Sequence, residues 1–209
     1  MQKLGRQGGL RGGVARAKAL SSRRKSEIAK IAAEARWKPG VLVLSQPKDH
    51  GELQWFVAQY GNGYALADDT CDPAAVLLRS ISVCRHDGGL ARMLPVFIWR
   101  ARDKIFARPK RLLAVSPEEA CVLGYFLELT SNLGGVLLAR GVLRDLRRKA
   151  APVEKPIVFF HLMNRSMLRE FAEERTSGLA KSWNLVLGEP DESFKSYFAR
   201  AESFARAAL

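Results

Sequence analysis

A chain of 209 residues with 47% hydrophobic content carries enough apolar material for a real core, as one domain with an appended segment or as two small domains. Its 34 Lys/Arg against 21 Asp/Glu give a formal net charge of +13, which favours polyanionic partners over cationic ones. No run approaches the ~18 apolar residues of a membrane span; the longest apolar stretch, Ala120–Leu129, is broken by Gly124 and Glu128.

The charge is concentrated at the front. Residues 1–38 hold eleven Lys/Arg and two acids, Glu27 and Glu34, leaving 23 bases against 19 acids for all the rest. Gly5, Gly8, Gly9, Gly12 and Gly13 are interleaved with Arg6, Arg11, Arg16 and Lys18. Such a segment reads as a partly flexible arm whose cations can follow a phosphate backbone and release its counterions. From Ser26 the pattern turns helical, with Ile28, Ile31, Ala32 and Ala35 on one face and Lys30–Glu34 and Glu34–Lys38 as i,i+4 pairs.

If Ser21 or Ser22 caps that helix, Arg23, Arg24 and Lys25 occupy its first turn, where the macrodipole disfavours each cation by roughly 0.3–1 kcal/mol. A phosphate bound there reverses the sign. If Ser26 is the cap, the three cations lie in a loop. No apolar segment follows the basic start, so it does not read as a secretory signal, and the early glycines argue against a transit peptide.

The segment Gly5–Trp37 resembles the Gly-Gly/Lys-Arg-rich basic motif of bacterial proteins, in which GR-x-GG precedes ARA-x-x-L and an EIA-x-x-AA-x-ARW helix. The resemblance covers under a fifth of the chain. It departs from the stress-type form in having Arg6-Gln7-Gly8-Gly9 where Lys usually precedes the glycines. It implies a bacterial nucleic-acid-related protein of plasmid or phage association.

Pro39-Gly40 closes the arm and Val41–Leu44 is a short strand-like run. Trp55–Tyr60 and Tyr64–Ala67 flank Gly61-Asn62-Gly63 and read as a hairpin. Asp72-Pro73 is a helix start, with Leu77, Ile81 and Cys84 as the buried stripe and Gly88-Gly89 as the stop. A second helix is expected from Leu90, restarted or kinked at Pro95. Between Arg92 and Arg111 seven bases face one acid, Asp103, with Phe97, Trp99 and Phe106 among them. Such aromatics either stack unpaired bases or, as is commoner at helical spacing, fill the core while Arg100, Arg102 and Lys104 stay wet.

Ser116-Pro117-Glu118-Glu119 is a capping box with Pro at the first helical position. The helix behind it, Glu118–Ser131, is apolar on most faces and should sit centrally, ending at Asn132–Gly135. The next, Val136–Lys149, should bury Leu138, Val142 and Leu146 and show Arg140, Arg144, Arg147 and Arg148 outside. That stripe either tracks phosphates or is a solvated face favoured near a helix C-terminus. Over 152–209 a small α/β portion is expected: strands at Pro156–Met163 and Trp183–Gly188, an Asn-capped helix at Asn164–Glu174, and a final helix at Asp191–Ala208. If those strands pair in parallel they form a βα unit.

Catalytic signatures are missing from the sequence: it has no phosphate-binding Gly-rich loop with Lys, no Gly-x-Ser-x-Gly and no HExxH. Asp68, Asp69 and Asp72 could hold Mg²⁺ for phosphoryl chemistry, but acids before a Pro-initiated helix more simply supply a loop and a cap. Cys71, Cys84 and Cys121 are far apart, with no ligand spacing to His50, His86 or His161, and read as reduced thiols of a cytosolic protein.

The expectation is a mainly α protein with a minor β component, residues 1–38 as basic arm and 39–209 as helical body. It is expected to bind nucleic acid, DNA in preference to RNA, through Arg6, Arg11, Arg16, Lys18, Arg23, Arg24, Lys25 and Lys30. Arg100, Arg102, Lys104, Arg140, Arg144, Arg147 and Arg148 form secondary patches. No cofactor, metal or membrane partner is implied, and a cytoplasmic or nucleoid location follows. A regulator or antitoxin-like component fits, with homodimerisation or protein binding through the final aromatic helix. The alternatives are an interaction or immunity-type protein whose arm grips an acidic partner, and a metal-dependent nucleic-acid enzyme.

Overall fold

Capping chemistry sets the helix boundaries. Asp72, in extended conformation, accepts a hydrogen bond from the Ala74 backbone at 3.0 Å and starts a helix with Pro73 at its first position. Ser116 and Glu119 close a reciprocal capping box: the Glu119 backbone donates to Ser116 Oγ at 3.2 Å and the Ser116 backbone donates to Glu119 Oε2 at 2.8 Å. Asp87 does the same work one helix earlier, accepting from the Leu90 backbone at 3.0 Å.

The computed structural model describes Ser21 and residues 41–42, 50–61, 65–66, 71–135, 140–159 and 169–207. The chain divides into two units, residues 1–38 and 39–209. The basic arm lies outside the described residues except for Ser21, which is exposed.

The second unit is mainly helical. Among the described residues its helices are α1 (His50–Gly61), α2 (Pro73–Val83), α3 (Gly88–Phe106), α4 (Pro117–Gly134), α5 (Arg140–Ala150), α6 (Arg169–Arg175), α7 (Gly178–Ser182) and α8 (Glu192–Ala207). Short 3₁₀ turns at Cys84–His86 and Pro109–Leu113 link α2 to α3 and α3 to α4. Strands β1 (Val41–Leu42) and β2 (Ala65–Leu66) pair in parallel, as do β3 (Ile157–Val158) and β4 (Leu185–Val186). The parallel β3–β4 pair, in register Ile157 to Leu185, is the pairing the sequence made conditional. No helix among the described residues is long and apolar enough to cross a membrane.

Two helices carry the core. Residues Ala120 to Leu127 of α4 are all buried, so this helix has no wet face until Glu128, as its composition implied. Helix α3 packs against α1, α2, α4 and α8 and buries Leu90, Ala91, Leu94, Pro95, Val96, Phe97, Ile98, Ala101 and Ile105. Phe126 lies at the centre, edge-on to Tyr125, Phe159 and Phe194 with centroids 5.1–6.4 Å apart.

The structure corrects several expectations. The segment read as one arm of a hairpin, Trp55–Tyr60, belongs to helix α1, which buries Leu53, Phe56 and Val57 at i, i+3 and i+4. Ala65–Leu66 pairs with Val41–Leu42 instead. Gly88-Gly89 does not stop α2; Val83 ends it, and Asp87 makes the two glycines the first turn of α3. Helix α3 runs through Pro95 without restarting. Helix α4 continues to Gly134 and closes on Gly135, whose φ of +60° places it in the left-handed cap conformation. Helix α7, capped by Ser177, was not anticipated, and Trp183 is its C-cap and not a strand residue. The expected positions Leu138, His161 and Asn164 lie outside the described residues.

Candidate phosphate-binding face

The arm cations Arg6, Arg11, Arg16, Lys18, Arg23, Arg24, Lys25 and Lys30 lie outside the described residues. The secondary patches can be followed atom by atom, and they separate into two kinds.

On α5, Val142 and Leu146 face inward and the arginines outward, as the 3.6-residue pattern required. Most of that stripe is engaged by carboxylates. Arg147 donates to Glu128 Oε2 at 2.6 Å and stacks its guanidinium 4.3 Å from the Trp183 ring centroid. Trp183 Nε1 donates to the same Glu128 oxygen at 2.8 Å, so Arg147 closes a joint between α4, α5 and the turn after α7. Arg148 pairs with Asp145, and Arg144 Nε lies 3.9 Å from it. Arg140 is exposed.

The end of α3 is arranged differently. Phe97 is fully buried and Trp99 half-buried against Phe198, so the aromatics serve packing, not base stacking. Arg100 is half-buried. Arg102 folds back, donating to the Trp99 carbonyl at 2.8 Å with its Cζ 5.8 Å from that ring. Lys104 is exposed.

Beyond Lys104 the chain turns through Ala107 and Arg108 into the 3₁₀ helix Pro109–Leu113. Leu112 is fully buried and pins this turn to the core. Lys149 Nζ, from the end of α5, donates to the Leu113 carbonyl at 2.9 Å and fixes it from the other side. With Leu112 pointing in, Lys110 and Arg111 are exposed.

Between this turn and the start of α2 lies an open cavity of about 390 Å³, bordered by Cys71, Asp72, Ala74, Lys104, Arg108 and Arg111. Arg111 Nη1 pairs with Asp72 Oδ2, while Asp72 Oδ1 caps α2. Among the described lining side chains three are cationic and one is anionic. Arg108 and Arg111, which complete the set, belong to the seven-base run but were not picked out, because the 3₁₀ turn that gathers them is set by Leu112 and Lys149.

Asp72, one of the three acids weighed as a metal site, is thus a helix cap and an ion-pair partner. Asp68 and Asp69 lie outside the described residues, and no group of three His, Cys, Asp or Glu among the described residues is placed to hold a metal ion. All three cysteines are free thiols. Burial, with the Asp72 charge beside it, pushes the Cys71 thiol up to about 11, which leaves it un-ionised near neutral pH.

The final aromatic helix, expected to pair with another chain, spends Phe194 and Phe198 on its own core. It is moored at its start: Tyr125 Oη and Ser177 Oγ both donate to Asp191 Oδ1 at 2.9 Å, and Arg92 bonds Glu189 at 2.5 Å.

Fold and face together define a mainly helical protein with small parallel strand pairs and, among the described residues, a cavity bordered by Lys104, Arg108 and Arg111. Comparison with protein families, curated proteins and solved structures finds nothing that matches this chain.

Proposed function

We propose that the protein binds nucleic acid, DNA in preference to RNA, by phosphate contacts from its first 38 residues, supplemented by the Lys104–Arg111 face. The observation that carries this reading is the eleven Lys/Arg against two acids in those residues. Six of these cations, Arg6, Arg11, Arg16, Arg23, Arg24 and Lys25, form the primary contact set. The cavity face supports it, because Lys104, Arg108 and Arg111 border one cavity beside the turn that Leu112 pins to the core.

Six phosphate contacts on a duplex predict a slope of log K against log salt of roughly −5, and a loss of about 10³ in affinity between 50 and 200 mM salt. Titration of random-sequence duplex, single strand and RNA across salt, with the full chain and with those six residues changed to Ala, measures it. The expected result is steep salt dependence, tightest on duplex DNA, flattened in the variant. Failure of the full chain to bind any nucleic acid at 50 mM salt overturns the reading.

A further inference from the structure

We infer that the outer edge of β3, beside the start of α4, docks an extended peptide strand of a partner protein, with a carboxylate side chain of that strand set against Lys155. The inference stands apart from the nucleic-acid reading and uses no residue of the arm or of the Lys104–Arg111 face.

The backbone supplies the first observation. The Ile157 N–H donates to the Asn184 carbonyl at 2.9 Å, and the Phe159 N–H to the Val186 carbonyl at 3.0 Å. Alternate residues of β3 thus turn their polar groups to β4, and the N–H and C=O of Val158 between them face the other way. Among the described residues β3 has no second strand partner. Such an edge is a template for another strand.

Space lies along it. A cavity of about 390 Å³ has Lys155 to Val158 as one wall and Arg85, His86 and Glu118 as the other. None of its described lining belongs to β4, so it follows the outer side of β3. A second cavity, of about 310 Å³, shares Arg85, Glu118 and Ile157 and has Ile81 and Val122 as apolar floor. A strand laid roughly 4.8 Å from β3 bonds Val158 in both directions and sends alternate side chains to opposite sides, one of them onto that floor.

Charge selects the strand. Glu118 lies 3.5 Å from Arg85, whose Nε donates to His86 Nε2 at 3.0 Å. Glu119 accepts from Ser82 Oγ at 2.5 Å and from the Ser116 backbone at 2.8 Å. These groups are matched within the fold. Lys155 is exposed and makes no ion pair among the described residues. The segment 160–168 that follows the strand contains no Asp or Glu to neutralise it. A carboxylate from outside fits there.

The test uses the full chain and fluorescent, end-blocked heptapeptides of alternating Thr and Val with a central Glu or a central Lys. Two further Glu peptides are N-methylated at alternate residues, one along each edge. The expected result is at least about tenfold tighter binding of the Glu peptide than of the Lys peptide, abolished by methylation along one edge and kept with the other. Proline is accepted on a strand edge whose N–H is unpaired, so Val158→Pro keeps the bonds of Ile157 and Phe159 to β4 while removing the outward donor. It should abolish binding with circular dichroism unchanged. Lys155→Glu, at an exposed side chain, should reverse the preference between the two peptides, and tests the site whether or not the proline variant folds.

Binding of neither peptide, equal binding of both, or binding that survives methylation along each edge overturns the site. So does a Glu preference that survives Lys155→Glu. Self-association abolished by Val158→Pro, with no peptide bound, gives the edge to a second copy of this chain and overturns the partner proposed.

Discussion

Gly124 lies in the middle of α4, where a helix would ordinarily prefer Ala by about 1 kcal/mol. A Cβ at this position would stand 2.2 Å from Cη2 and Cζ3 of Trp183 and 2.6 Å from Cε3. No real side chain tolerates such a contact, so the indole must move. It has little freedom to do so, because it is 2% exposed, donates to Glu128 and lies under the Arg147 guanidinium. Gly124→Ala therefore sets overpacking of about 1–3 kcal/mol, and loss of a hydrogen bond to a charged acceptor worth roughly 1.5–3 kcal/mol, against the propensity gain. The net expectation is destabilisation by about 1.5–5 kcal/mol, read as a lower urea midpoint at unchanged slope. Gly141→Ala in α5 is the control: nothing lies within 4 Å of its Cβ, and stabilisation of up to about 1 kcal/mol is expected. Should Gly124→Ala stabilise the protein as Gly141→Ala does, the packing of Trp183 on α4 is wrong.

Gly135→Ala should cost about 1 kcal/mol through the backbone alone, since its φ is +60° and nothing lies within 4 Å of the added methyl; urea unfolding measures it. Burial raises the Glu119 carboxyl, but hydrogen bonds from Ser82 and Ser116 and the Arg85 charge outweigh this and hold it below the ordinary value. Its contribution is therefore fully present above about pH 5 and lost as pH falls through the lowered folded value. Accordingly, wild type should exceed Glu119→Gln in stability at pH 7, and the difference should shrink as pH falls through the carboxyl's lowered value. Cys71, with its thiol raised to about 11, should react with a disulfide reagent at pH 8 roughly a hundredfold more slowly than a free thiol. Stopped-flow traces of the variant retaining Cys71 alone measure this.

The sequence was most legible where a boundary is written in local chemistry. Asp72-Pro73 and Ser116-Pro117-x-Glu119 satisfy backbone N–H groups within three residues, so no tertiary information is needed to place them. The Leu77, Ile81, Cys84 stripe was equally plain, and all three are buried. Helix α1 was missed because the aromatics of Trp55–Tyr60 favour strands in isolation, whereas the Leu53, Phe56, Val57 stripe that decides the matter had to be seen against α3. Gly88-Gly89 misled for a related reason: glycine marks helix ends on average, but Asp87 caps in the other direction. Trp183 read as strand from its neighbours Leu185 to Leu187, yet it closes α7 and is followed by Asn184 at φ +57°. The cavity face was half legible. Its charge was visible as a run of bases, but the placing of Arg108 and Arg111 on one cavity with Asp72 depends on Leu112 and Lys149, which lie 40 and 77 residues after Asp72.

Helix α3, enclosed by four neighbours, cannot open without disturbing all of them. In deuterated solvent its central amides, from Val96 to Ala101, should therefore exchange only as fast as the whole body comes apart. Those of α5, which faces water along one side, should exchange sooner. The protein's global lifetime can thus be timed from six residues.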